Sequence, residues 1–186
     1  MARSTLFITI FVASGHLAAC GGGSVTAPSA GDSATRRVTT TDLLEIREIR
    51  VFANETLGCI LHADGRLETA LTAGGMGAFG SIHSDGSFVW NDGRAMARLA
   101  ADGTIRTASG ELLAFTLHPD GTLTDSRMQA VYTITSDGTL SGREGAERFR
   151  FEGVDSLGSR RTAMFLFAIL GSPAVHTLMG GSRPPP

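Results

Sequence analysis

Leu99-Ala-Ala-Asp-Gly-Thr-Ile105, Leu117-His-Pro-Asp-Gly-Thr-Leu123 and Ile134-Thr-Ser-Asp-Gly-Thr-Leu140 are successive copies of one short pattern. Two looser copies precede them, Leu61-His-Ala-Asp-Gly-Arg-Leu67 and Ile82-His-Ser-Asp-Gly-Ser-Phe88. In all of them the third residue before the aspartate and the third after it are apolar. A further Asp-Gly, at Asp92, falls between copies. A two-residue loop would put the apolar partners out of register, whereas a three-residue loop sets them directly opposite one another. Pro119 at the first loop position suits the first central residue of a type I turn. The glycine then takes the left-handed region, where a side chain costs energy. The turns predicted are therefore centred on Asp64 and Gly65, Asp85 and Gly86, Asp102 and Gly103, Asp120 and Gly121, and Asp137 and Gly138.

Strand alternation sorts the faces around these turns. Leu57, Cys59 and Leu61, then Leu113, Phe115 and Leu117, then Ala130, Tyr132 and Ile134 point one way. Thr104, Thr116, Thr122, Thr124, Thr133, Thr135 and Thr139 point the other. One apolar and one wetted face is the signature of an antiparallel sheet buried on one side. Burying the ten paired apolar residues contributes on the order of 15 to 30 kcal/mol before chain entropy is subtracted. The expected fold is all-β, an antiparallel meander of five Asp-Gly hairpins forming a curled sheet or barrel. A C-terminal apolar segment, 160–170, is a candidate covering helix, with Ser159 as its cap and Gly171 and Pro173 as stop signals. Asp42 to Phe52 fits either an amphipathic helix or an incoming strand, and the strand is favoured because Ile49, Val51 and Phe52 are β-formers.

The chain of 186 residues holds 16 basic and 18 acidic residues, a formal charge of −2, and every basic residue is Arg. No stretch gathers them into a basic stripe, so nucleic acid is not an expected partner. Arg3 precedes an apolar run from Leu6 to Ala13, too short to span a bilayer, and small residues lead into Cys20. Leu17, Ala18, Ala19 and Cys20 resemble the lipobox of bacterial lipoproteins. The resemblance implies diacylglycerol on the Cys20 sulfur, cleavage before it and N-acylation. Each buried methylene contributes about 0.8 kcal/mol, so several acyl chains hold the protein to a membrane. Gly21 in place of the aspartate that retains such proteins at the inner membrane implies an outer-membrane, cell-envelope location. The recurring Asp-Gly-Thr hairpins at Asp102, Asp120 and Asp137 also resemble those of uncharacterised envelope lipoproteins of GC-rich Gram-negative bacteria, a resemblance that implies no activity. The expected organisation is a signal peptide over 1–19, a lipidated tether over 20–41 rich in Gly, Ser, Ala and Thr, a hairpin domain over 42–178, and a tail over 179–186.

Candidate chemistry is sparse. Gly75, Gly77 and Gly80 have dinucleotide-loop spacing, but a hairpin follows them where that motif needs a helix. A flexible glycine loop is the better reading. His62, His83 and His118 hold equivalent places two residues before a repeat aspartate, and adjacent hairpins could line them up as metal ligands. Ala100 and Thr135 interrupt that column, and a tetrahedral site needs more ligands, so solvated strand histidines are expected and no metal or other cofactor is assigned. The aspartates lack the alternating acids of a calcium loop. Cys59 becomes the one free thiol once Cys20 is acylated, and its apolar-face register makes it a small core residue. No nucleophile elbow, serine-lysine pair or paired-carboxylate site occurs, so no catalytic residue is assigned. Three functions follow: a lipid-anchored, non-catalytic structural or interaction module with an envelope protein partner; a carrier of an apolar ligand inside a barrel; or an enzyme whose site is assembled only in space. The first is favoured.

Overall fold

A computed structural model of the chain describes residues 42–71 and 74–171. The segments expected to be a signal peptide, a tether starting at Cys20 and a tail lie outside the described residues. Strands β1 (Ile49–Ala53), β2 (Thr56–Leu61), β3 (Arg66–Ala70), β4 (Met76–Ile82), β5 (Ser87–Trp90) and β6 (Ala95–Leu99) come first. They continue as β7 (Thr104–Thr107), β8 (Leu112–Leu117), β9 (Leu123–Asp125), β10 (Ala130–Ile134) and β11 (Leu140–Ser141). After a short 3₁₀ turn come β12 (Phe149–Glu152) and helix α1 (Leu157–Leu170).

All five hairpins have the register the apolar pairs demand: Leu61 faces Leu67, Ile82 faces Phe88, Leu99 faces Ile105, Leu117 faces Leu123 and Ile134 faces Leu140. The loops have three residues. In the first, His62 N–H donates to the Arg66 carbonyl at 2.8 Å and Gly65 N–H to the His62 carbonyl at 2.9 Å. The repeat glycines have φ between 82° and 88°. Asp92 and Gly93 form the same loop at the opposite end of the sheet, where Trp90 N–H donates to the Arg94 carbonyl at 2.8 Å.

The strands form one 12-stranded sheet in which β1 to β11 follow chain order and β12 pairs antiparallel with β1. On its other side β12 reaches β11 through a Thr139–Arg150 bridge, and Phe151 N–H donates to the Gly138 carbonyl at 2.8 Å. The meander is thus nearly closed into a barrel. Gly153 completes the ring of turns: its φ is 83°, and a Cβ there would lie 2.3 Å from the Glu48 carbonyl oxygen. The inward residues from Ile49 round to Phe151 form one core, with Leu61, Leu67, Ile82, Phe88, Leu99, Ile105, Leu117, Leu123 and Leu140 fully buried and Phe115 and Ala130 partly so.

A curled sheet and a covering helix are alternative ways to hide one apolar face; this fold uses both. Ala163, Met164, Phe165, Leu166, Ala168 and Ile169 are fully buried although they point in every direction around α1. A helix apolar all round belongs inside a core, and a can of eleven strands is already wide enough to enclose one. The barrel therefore wraps α1. Phe167 packs tilted against Tyr132 and edge-on to Phe149 at centroid distances of 5.3 and 5.5 Å.

Three sequence expectations are corrected. The cap of α1 is Ser156, one turn earlier than Ser159. The Ser156 hydroxyl accepts from Ser159 N–H at 2.9 Å while Ser156 N–H donates to the Ser159 hydroxyl at 3.0 Å, a capping box with serine in the usual glutamate place. The strand expected over 42–52 begins only at Ile49. Residues 42–48 instead cross the mouth of the barrel, where Leu43 and Leu44 N–H both donate to the Ser84 carbonyl and Leu44 is buried. Leu57 does not share the face of Cys59 and Leu61. The β1–β2 ladder skips Gly58, pairing Val51 with Cys59 but Phe52 with Leu57, so this bulge turns Leu57 to the outside beside Phe52.

Candidate functional site

The turn carboxylates and the segment 42–48 meet at the mouth of the barrel by the Asp-Gly turns. Each turn carboxylate folds back on its own loop. Asp102 Oδ1 accepts from Thr104 N–H at 3.0 Å and from its hydroxyl at 2.7 Å, and Asp120 does the same with Thr122. Backbone donation comes first, then the hydroxyl, in holding the Asp102 and Asp120 carboxyls below the usual range. At Asp85 the Ser87 hydroxyl leads, and at Asp137 the Thr135 hydroxyl leads. These aspartates are turn locks, occupied by their own chain.

Across this mouth lies the 42–48 strap, tied to both the wall and the helix. Asp42 accepts from the Ser84 hydroxyl at 2.7 Å. The Glu45 carbonyl accepts from the buried Thr162 hydroxyl at 2.8 Å, and its carboxylate accepts from Ser156. Arg47 pairs with Asp155. The first turn of α1 contains no acid, and Arg160 and Arg161 follow at its end, against the usual dipole preference. Glu45, from a distant part of the chain, supplies the negative charge that turn lacks. Neither Glu45 nor Ser156 was singled out in the sequence. The only local signal was Ser156 three residues before a second serine.

One seam of the wall is spread. The Ile82, Leu99, Leu117 and Phe151 amides donate to the carbonyls of Gly65, Gly86, Gly103 and Gly138 in the hairpin before, at 2.8 to 2.9 Å. No such bond joins Ile134 to Gly121. There Leu157, Arg160 and Arg161 approach the Gly121 turn, so α1 starts at the rim just beyond the Leu123–Tyr132 pair that ends the β9–β10 ladder.

The three histidines are not brought together. His62 Nε2 sits 3.3 Å from Glu68 without hydrogen-bond alignment, His83 lies 3.2 Å from the Ser81 hydroxyl, and His118 lies 2.8 Å from the Thr124 hydroxyl. Equivalent residues of neighbouring hairpins are two strands apart, roughly 9.6 Å, whereas a zinc ion bonds nitrogen at about 2.0 to 2.1 Å. Among the described residues no three His, Cys, Asp or Glu side chains are grouped for a metal.

The glycine spacing is also resolved into structure. Gly77 and Gly80 belong to strand β4, so only Gly74 and Gly75 remain as a loop. At Gly80 a Cβ would meet the Val89 carbonyl oxygen at 2.3 Å and the Phe88 ring at 2.9 Å, a close strand approach that only glycine permits. Cys59 is buried, and burial pushes its thiol up to about 12. Two open depressions lie beside the turns, one lined by residues from Thr135 to Gly142 together with Glu147, the other by Asp42, His83, Ser84, Asp85, Ser87 and Val89. No helix among the described residues is long and apolar enough to cross a membrane.

No family model, curated protein or solved structure matches the chain.

Proposed function

We propose that this is a lipid-anchored envelope module that works through its outer surface and not through a pocket. The observation that carries this reading is α1: a barrel wide enough to carry an apolar ligand is filled by its own helix. The lipobox resemblance at Leu17 to Cys20 supports the anchor, and the strap begins at Asp42, where the proposed tether ends. An envelope protein or surface is then the partner, met by the outer wall.

Mass spectrometry of the mature N-terminus tests the anchor. The expected species begins at Cys20 and carries acyl mass, and an unmodified terminus elsewhere overturns it. Native mass spectrometry of the purified chain tests the filled lumen. A stoichiometric small apolar ligand would replace this reading with the carrier, α1 then being a displaceable plug.

A further inference from the structure

We propose that the strap over residues 42–48 is a releasable latch, able to leave the mouth of the barrel while the wall and α1 stay in place. The strap belongs to no strand ladder. Among the described residues its backbone bonds to the wall reach one residue, since the Leu43 and Leu44 amides both donate to the Ser84 carbonyl, at 2.7 and 3.0 Å. From Arg50 onward the same chain is paired on both sides, with β2 and with β12. The junction is pinned at Glu48, whose carbonyl lies against Gly153 too closely for any side chain there. Leu44 is the one buried residue of the seven.

The polar groups that hold the strap to α1 each have a second partner in place. The buried Thr162 hydroxyl donates to the Glu45 carbonyl at 2.8 Å, and the Gly158 carbonyl of its own helix stands ready at 3.1 Å. The Ser156 hydroxyl donates to the Glu45 carboxylate and can turn to the Ser159 hydroxyl at 2.9 Å. Arg47 pairs with Asp155 and also lies 3.6 Å from Glu45 within the strap. A buried donor left without a partner is what makes such contacts costly to break, and release strands none of these. Gly158 marks the seat from the other side. A glycine so near its start weakens a helix, yet a Cβ there would lie 2.5 Å from a Glu45 carboxylate oxygen and 2.8 Å from its Cβ. Release opens the mouth beside the hairpin tips at Gly65 and Gly86, which Ile46 and Leu43 cover. The chain before Asp42 continues directly from the latch, so whatever holds or binds that chain acts on the strap before the wall. The inference holds with or without lipid on Cys20.

Amide hydrogen exchange on the full chain, followed residue by residue at rising sub-denaturing urea, tests it. Leu43 and Leu44 should exchange at least ~100-fold faster than Leu99 and Leu117, whose amides join neighbouring hairpins, and with almost no urea dependence, because local opening exposes little surface. Gly158→Ala pushes Glu45 off its seat and should speed Leu43 and Leu44 a further ~10-fold, the size of one hydrogen bond to a charged group. Phe165, Leu99 and Leu117 should keep the parent rates. Glu45→Ala removes the same carboxylate without touching α1 and should act alike, so the outcome does not hang on one variant folding. Leu43 and Leu44 with the rate and urea slope of Leu117 would mean that the strap opens only with the whole barrel, which overturns the inference. Acceleration of Phe165 along with the strap also overturns it, since the helix then leaves too, as do unchanged strap rates in Glu45→Ala.

Discussion

The third and fourth hairpins share the tip Asp-Gly-Thr, yet the barrel closes against one and opens beside the other. At Gly103 a Cβ would lie 2.2 Å from the Leu117 carbonyl oxygen, because the next hairpin is bonded to that glycine. At Gly121 the nearest neighbour is Leu157 Cδ1 at 3.3 Å, the end of a flexible side chain. Both glycines have left-handed backbone, φ 85° and 82°. Identical local chemistry thus sits in two packing environments. The difference comes from α1, whose first turn takes the place of the missing wall contact. A repeat fixes its own turn, while the seam between repeats is decided by whatever fills the barrel.

Burial supplies the largest expected effect, on the closed side of the wall. Cys59 projects inward from β2, and a thiol pushed from 9.0 to about 12 has on the order of 1,000-fold less thiolate. Labelling of the native protein should be slower than that of the unfolded chain by at least this factor. Rapid native labelling would mean that the wall opens at β1–β2 as readily as beside Gly121.

The two glycines test the comparison directly. Gly103→Ala must satisfy both the left-handed backbone and a carbonyl it cannot displace, so it should cost about 3 kcal/mol or more. Gly121→Ala carries the backbone cost alone, about 1 kcal/mol. Urea unfolding of both variants decides it, and equal losses would show that the seams do not differ. Thr162→Val keeps the shape of the helix but removes the hydroxyl that holds the Glu45 carbonyl, at a cost of about 1 to 2 kcal/mol. The same substitution should speed amide exchange at Leu43 and Leu44, whose N–H groups hold the strap to the Ser84 carbonyl, because that hydroxyl ties the strap to α1.

The sequence was legible where structure is local. Apolar residues at fixed distances from each aspartate determine the hairpin register, and Pro119 with the repeated glycines determines the loop. Closure was not legible, because it depends on β12 arriving between β1 and β11 from the far end of the chain. The strap was hidden for the same reason. Asp42 to Glu48 has the apolar content of a strand, yet its backbone partner is Ser84 and its side-chain partners are on α1. Leu57 failed on a single inserted residue, since strict alternation cannot foresee the bulge at Gly58. The histidine column failed on distance, because equal places in a repeat are not neighbouring places in space.

The smallest effect concerns acid, and it separates turn chemistry from seam packing. The carboxyls of Asp102 and Asp120 are lowered by the same donors, the amide and hydroxyl of the threonine two residues on. A carboxyl lowered in the folded state stabilises it fully above the unfolded value, about 3.9 for aspartate. That contribution is lost as pH falls through the lowered folded value, so the urea midpoint should fall between pH 5 and pH 2. Asparagine keeps an oxygen that accepts from the same amide but cannot be protonated in this range. Asp102→Asn and Asp120→Asn should each flatten the acid limb by a similar small amount, although one tip flanks the closed seam and the other the open one. A clearly larger change at Asp120 would mean that its carboxylate also acts on Arg160 or Arg161 at the start of α1. The open seam would then be held by charge as well as by the packing of Leu157.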